Sequence, residues 1–135
     1  MATERVRRRL AAILAADVVG YSRLIRADEE ATLAALNSVR SEIIEPKIIE
    51  HNGRIFKLMG DGILAEFQSI VDAVRTAVEI QLALADRNAA LTSAVRLDFR
   101  IGVNLGDVVV DGNDLQGDGV NVAARLEGIA EPGGI

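Results

Sequence analysis

The stretch Arg54 to Phe67 constrains this sequence more than any other. Two apolar, β-compatible runs, Arg54-Ile55-Phe56-Lys57-Leu58-Met59 and Ile63-Leu64-Ala65-Glu66-Phe67, meet at Gly60-Asp61-Gly62, which is a strong hairpin signal. Lys57 stands inside the incoming apolar run, four residues before Asp61. At about 3.3 Å rise per residue the two charges lie roughly 13 Å apart along a strand, too far to pair with each other. Each needs a partner elsewhere.

Segments of helical character flank this hairpin. Asp28 is a natural N-cap, with Glu29 and Glu30 in the first turn, and Leu33, Leu36, Val39, Arg40, Ile43 and Ile44 follow at helical spacing. Pro46 should end or kink that helix, and Gly53 stands beyond its C-terminus. After the hairpin, Ser69 and Asp72 make a capping-box-like start, and Val71, Val74, Val78, Leu82 and Ala85 mark the expected buried face of a second helix fading near Ala90. Thr92-Ser93 reads as a connector. Ahead of all this, Leu10 to Val19 is a continuous apolar run with a Val-Val-Gly ending, as in a buried central strand. Val95 to Val103 alternates as a strand should, and Gly106-Asp107 is expected to turn it into a hairpin partner, Val108-Val109-Val110. Asp111 to Asp114 reads as a loop, and a last helix is expected over Val120 to Ile129 before Pro132-Gly133-Gly134. The order β-α-β-β-α-β-β-α predicts an α+β domain: a ferredoxin-like sandwich with a central, mostly antiparallel sheet and helices packed on it.

Composition narrows the chemistry. The 135 residues are enough for one domain, with residues 1–9 as a basic arm containing Arg5, Arg7, Arg8 and Arg9. There is no cysteine, so disulfides, zinc–thiolate sites and thiol nucleophiles are excluded, and the single His51 rules out a multi-histidine metal site. Any metal has to sit on carboxylates, which suits Mg²⁺, Mn²⁺ or Ca²⁺. A net charge of −5 argues against general nucleic-acid binding. No apolar run reaches the roughly 18 residues of a membrane span, and Leu10 to Ala16 is not followed by a signal-peptidase pattern. The expected location is the cytoplasm. Ile135, an apolar residue directly after a turn, reads as the end of an incomplete domain over residues 10–135.

Three groups of polar residues invite a chemical role. Asp17 ends the first apolar strand and Asp61 sits at the hairpin tip, and the two strands are expected to be neighbours. Converging carboxylates repel unless a cation lies between them. As bare residues they read more simply as an ordinary strand-end and an ordinary turn aspartate. In Gly117-Asp118-Gly119-Val120-Asn121-Val122-Ala123-Ala124-Arg125 the glycines let backbone approach a ligand, and Asn121 and Arg125 share a helix face. An orienting Asn and a neutralising Arg suit phosphoryl transfer, although a solvated polar stripe would look similar. Lys57 either snorkels from its strand or serves a site.

Taken together, Ala16-Asp17-Val18-Val19-Gly20-Tyr21-Ser22, Phe56-Lys57-Leu58-Met59-Gly60-Asp61-Gly62, Phe99 to Gly106 and Asp114 to Glu127 resemble the class III nucleotidyl cyclase catalytic domain. The resemblance runs through nearly the whole chain, in order. It implies that Asp17, Asp61 and the carbonyl of Val18 hold two Mg²⁺ or Mn²⁺ ions. It also implies that Lys57 and Asp114 read the purine of ATP, that Asn121 positions the ribose, and that Arg125 stabilises charge on the α-phosphoryl group. The implied reaction forms 3′,5′-cyclic AMP and pyrophosphate in a homodimer whose subunits share each site. A guanylate cyclase and a decayed, nucleotide-binding homologue are the rival expectations. The paired glycines, two acidic residues and Phe of a diguanylate cyclase are absent at Met59 to Gly62. The family's basic residue for the triphosphate has no counterpart to assign.

Overall fold

The computed structural model describes residues 7–91 and 95–135. Thr92-Ser93 and the first six residues of the basic arm lie outside them. Five strands form one sheet in the order β2-β3-β1-β4-β5: β1 (Arg7–Val18), β2 (Arg54–Met59), β3 (Gly62–Phe67), β4 (Phe99–Asp111) and β5 (Asp114–Gln116). Every neighbouring pair is antiparallel, and β1 to β4 follow the ferredoxin-like order predicted from the sequence. The first strand begins at Arg7, inside the stretch expected to be an arm, because Arg7, Arg8 and Arg9 pair with Val110, Val109 and Val108.

Helices cover both faces. On one side lie α1 (Tyr21–Ala27), α2 (Glu29–Val39), a π turn over Arg40–Ile44, α3 (Glu45–Glu50) and α4 (Ile70–Ala90); α5 (Asp118–Ile129) takes the other. The alternation of β1 explains the two cores. Ala12, Leu14, Ala16 and Val18 point to the α2–α4 side, while Ala11, Ile13 and Ala15 join Leu64, Val108, Leu115, Val120 and Ala123 beneath α5. Asp28 caps α2 by accepting from the Ala31 N–H at 3.0 Å, and Ser69 caps α4 through the Asp72 N–H at 3.0 Å, both as expected.

Four expectations need correction. Gly106-Asp107 is not a turn: β4 runs unbroken from Phe99 to Asp111, since Phe99 to Val110 pair with the twelve residues of β1. Gly106 instead lies where α5 comes close, a Cβ there falling 3.0 Å from Asn104 Nδ2 and 3.1 Å from Gly119 Cα. The actual reversal is the tight turn at Gly112-Asn113 between paired Asp111 and Asp114, so Asp114 opens β5 rather than ending a loop. The long helix is divided ahead of Pro46, which stands in the first turn of α3 just after the π turn; Gly53 does lie beyond the end of α3, but the left-handed residue there is Asn52 (φ 61°). Gly53 instead leaves room for Phe67 and Ile48. The buried face of α4 is Ala73, Thr76, Ala77, Ile80 and Leu84, whereas Val71, Val74, Val78 and Leu82 are exposed. A close helix-to-sheet approach selects alanine, which a reading by hydrophobicity undervalues.

One irregularity positions the site. Across the β2–β3 hairpin Arg54 opposes Glu66, Ile55 opposes Ala65 and Lys57 opposes Leu64, leaving Phe56 as the extra residue of a bulge. In a regular strand Arg54 and Lys57 would face opposite ways. The bulge puts both on the α5 side of the sheet, with Phe56 packed into the core beneath α5.

Candidate active site

The end of β1 brings the first pair of carboxylates together. Asp17 stands opposite Gly62 on β3 and opposite Arg100 on β4, and the Val18 N–H donates to the Asp61 carbonyl at 3.1 Å. Asp61 therefore sits on the hairpin tip beside Asp17, as expected. Arg100 Nε lies 3.7 Å from Asp17 Oδ1 and 3.6 Å from Glu127 Oε1 of α5, too long for hydrogen bonds, while Arg100 Nη1 donates to the Gly128 carbonyl at 3.3 Å. Burial, and then the adjoining Asp17 carboxylate, push the Glu127 carboxyl up to about 8 against the pull of Arg100.

The second pair spans the two edges of the sheet. The sheet curls around the core beneath α5 until β2 meets β5, and Lys57 Nζ lies 3.2 Å from Asp114 Oδ2. The partner that Lys57 lacks on its own strand is thus Asp114. Burial works to raise the Asp114 carboxyl, but hydrogen bonds from Gln116, Lys57 and the Leu115 N–H outweigh it and hold the group below the ordinary aspartate range. Asp114 is accordingly an ionised acceptor, and Lys57 a donor beside it.

The third group lies on α5. Gly117 precedes the helix at φ 101°, ψ −164°, a conformation restricted to glycine. Gly119 is required because a Cβ would fall 2.6 Å from the Asp107 carbonyl oxygen. Asn104 Nδ2 donates to the Gly119 carbonyl at 3.0 Å and ties the first turn to β4. Asn121 and Arg125 share an exposed face, and Arg125 Nη2 approaches the exposed Asp118 at 3.9 Å. Among the described residues no hydrogen bond or ion pair links the Asp17–Asp61, Lys57–Asp114 and Asn121–Arg125 groups to one another.

Residues 5–135 match the family model described as the adenylate and guanylate cyclase catalytic domain. The chain belongs to that family. It is 53% identical over its whole length to a Rhizobium meliloti protein named "Putative adenylate cyclase 3", and 35% identical over 94% of its length to a Streptomyces coelicolor protein named "Adenylate cyclase". It spans 23% and 32% of those proteins respectively. Among solved structures it superposes on an adenylate/guanylate cyclase/hydrolase from Silicibacter pomeroyi with a TM-score of 0.87 at 47% identity, covering 96% of this chain and 75% of that one. The guanylyl cyclase Cya2 gives 0.83 at 29% identity, with 94% and 73% covered.

The donor set of this cyclase domain fits a divalent cation. Asp17 Oδ1 is buried without a hydrogen-bond donor, although buried polar atoms are nearly always partnered. Asp17, Asp61 and Glu127 together carry more carboxylate than Arg100 offsets, and the surplus is relieved by protonation of Glu127 or by a cation. Among the described residues no three His, Cys, Asp or Glu side chains converge as a closed cage. Two carboxylates with open positions are the arrangement that suits Mg²⁺, which takes its remaining ligands from water and phosphate. The grouping of Asp17 with Arg100 and Glu127 was not legible as such in the sequence. Arg100 reads there as an ordinary polar member of the β4 alternation, and Glu127 as one more charge on the last helix. No helix among the described residues is long and apolar enough to cross a membrane.

Proposed function

We propose that this cyclase domain is an adenylate cyclase of the cytoplasm, converting ATP to 3′,5′-cyclic AMP and pyrophosphate by in-line attack of the ribose 3′-oxygen on the α-phosphorus. The observation that carries the substrate assignment is the Lys57–Asp114 pair, a donor and an ionised acceptor 3.2 Å apart. Adenine offers an acceptor at N1 and a donor at its 6-amino group, which this pair matches. Guanine offers a protonated N1 and a carbonyl, which would leave both side chains facing groups of their own kind. A polar site built for one hydrogen-bond pattern rejects the other strongly. The adenylate names of the two sequence relatives point the same way.

Asn121 orients the ribose, and Arg125, free to extend into the site from its exposed face, stabilises the charge that builds on the α-phosphoryl group. By comparison with arginine fingers, Arg125 contributes on the order of 4–7 kcal/mol to lowering the barrier. Two Mg²⁺ or Mn²⁺ ions, held by Asp17, Asp61 and the Val18 carbonyl, would neutralise the triphosphate and lower the pKa of the 3′-hydroxyl. The chain itself supplies no nucleophile.

The three groups remain separate within one chain, which supports a two-fold homodimer. There the metal-holding carboxylates of one subunit would face Lys57, Asp114, Asn121 and Arg125 of the other. Steady-state cyclisation of ATP and GTP by the full-length protein tests the substrate reading, and a preference for GTP refutes it. The shared site is tested with Asp61→Asn and Arg125→Ala. Each variant should be inactive alone, and mixing them should restore activity; a demonstrably mixed dimer that stays inactive sinks the shared-site reading.

A further inference from the structure

The distance between β2 and β5 is not set by the sheet ladder, because three strands lie between these edges. It depends on how tightly the sheet curls, which is a soft deformation. Among the described residues, two polar contacts bridge the gap. One is the Lys57–Asp114 pair, whose side chains are 40% and 30% exposed, so that alone it holds the edges together only weakly. The other is Arg54, whose Nη1 donates to the Asn113 carbonyl at 2.8 Å. Arg54 is three residues before Lys57 and on the same face because of the bulge, and Asn113 directly precedes Asp114.

Arg54 is itself held from behind. Its Nε and Nη2 reach Glu66 Oε1 at 2.8 and 2.6 Å, and the other Glu66 oxygen takes Arg9 Nη2 at 2.6 Å. Glu66 is only 14% exposed, and Arg54 Cζ stacks 6.0 Å from the centroid of the bulged Phe56 ring. Arg9, Glu66 and Arg54 stand on β1, β3 and β2, all on the α5 side, so the guanidinium meets the β4–β5 turn from a base fixed on three strands. An arginine is required here, since it donates to a carboxylate with one edge of its fork and to a carbonyl with the remaining nitrogen.

We infer that Arg54, braced by Glu66 and Arg9, is a positioning residue for purine selection: by gripping the Asn113 carbonyl it sets the curl of the sheet at which Asp114 and Lys57 stand together as one base-reading pair. This rests on the reading of Lys57 and Asp114 proposed above. Without Arg54 the β4–β5 turn drifts from β2, and the site keeps its catalytic groups while losing the fixed spacing of donor and acceptor.

The test measures kcat and KM for ATP and for GTP in the full-length protein carrying Arg54→Gln, Arg54→Lys, Arg9→Ala or Asp114→Asn, with melting temperatures alongside. Arg54→Gln should lower the ATP-over-GTP ratio of kcat/KM about tenfold, chiefly through a higher KM for ATP, with kcat within about threefold and the divalent-metal dependence unchanged. Arg54→Lys should fail to restore the ratio, because an ammonium cannot keep both attachments. Arg9→Ala, which leaves Arg54 on Glu66, should give a smaller shift of the same sign. Parallel losses for ATP and GTP in step with the melting temperature would mean that Arg54 merely supports the fold, and would overturn the inference. So would an unchanged ratio in Arg54→Gln while Asp114→Asn shifts it. An unchanged ratio in Asp114→Asn itself would remove the base-reading assignment, and this inference with it.

Discussion

Gly102 lies where β4 passes beneath α5, and replacing it with alanine should displace the helix that carries Asn121 and Arg125. A Cβ at Gly102 would fall on the Glu127 nitrogen and the Ala123 carbonyl oxygen, and 2.9 Å from Glu127 Cα. All three obstacles are backbone, so no rotamer change relieves them. Carbon atoms in contact sit about 3.5–4.0 Å apart, so α5 has to lift by about 1 Å. Overpacking of this kind costs about 1–3 kcal/mol, and the rigid obstacle places Gly102→Ala near the upper end. For a domain of 135 residues that is a fall in melting temperature of roughly 10 °C. A 1 Å displacement of positioning groups costs on the order of 100-fold in rate. Gly128 on the same helix is the control, because a Cβ there meets nothing within 4 Å. Gly128→Ala should be neutral or stabilise by up to ~1 kcal/mol, with activity intact. Thermal unfolding followed by circular dichroism, with cyclase rates measured well below both transitions, separates the two effects. A Gly102→Ala protein that melts within a degree of wild type and turns over within twofold of it would refute the argument, as would Gly128→Ala proving equally harmful.

Other consequences are checked more simply. Burial works to raise the Glu66 carboxyl, but Arg9 and Arg54 outweigh it and lower the pKa. Its contribution to stability is therefore present above the ordinary glutamate value of about 4.3 and lost as pH falls through the lowered folded value. Urea unfolding at neutral pH and near pH 3 should show that Glu66→Gln removes this part of the acid sensitivity. Ile80→Ala should cost about 2–5 kcal/mol, since Ile80 is fully buried, whereas Val78→Ala on the exposed face of α4 should stay within about 0.5 kcal/mol. Ser69→Ala, which removes the cap of α4, should cost about 1 kcal/mol in the same assay.

How far the sequence foretold the structure depended on where each residue's constraint came from. Local constraints were visible. The Gly60-Asp61-Gly62 reversal, the Asp28 and Ser69 caps and the order of elements follow from turn chemistry and periodicity. The adjacency of Asp17 and Asp61 followed from pairing two buried strands. Constraints imposed by distant parts of the chain were misread. Gly106 looks like a turn residue because its actual reason, the approach of Gly119, lies in another element. The packed face of α4 looks exposed because three of its five residues, Ala73, Thr76 and Ala77, are alanine or threonine. The Arg54–Asn113 contact joins residues 59 apart, at opposite edges of the sheet, and no local pattern announces it.

The extra residue at Phe56 bears on how this strand can vary between relatives. Lys57 faces the same way as Arg54 although three residues separate them, because the bulge absorbs one residue of that interval. Deleting Phe56 would leave a regular strand with the lysine two residues from Arg54, still opposite Leu64 and on the same face. What such a deletion removes is the ring packed beneath α5, not the direction of the ammonium. A relative one residue shorter here can keep the lysine in place, whereas one that loses the bulge without losing the residue turns it to the other face of the sheet.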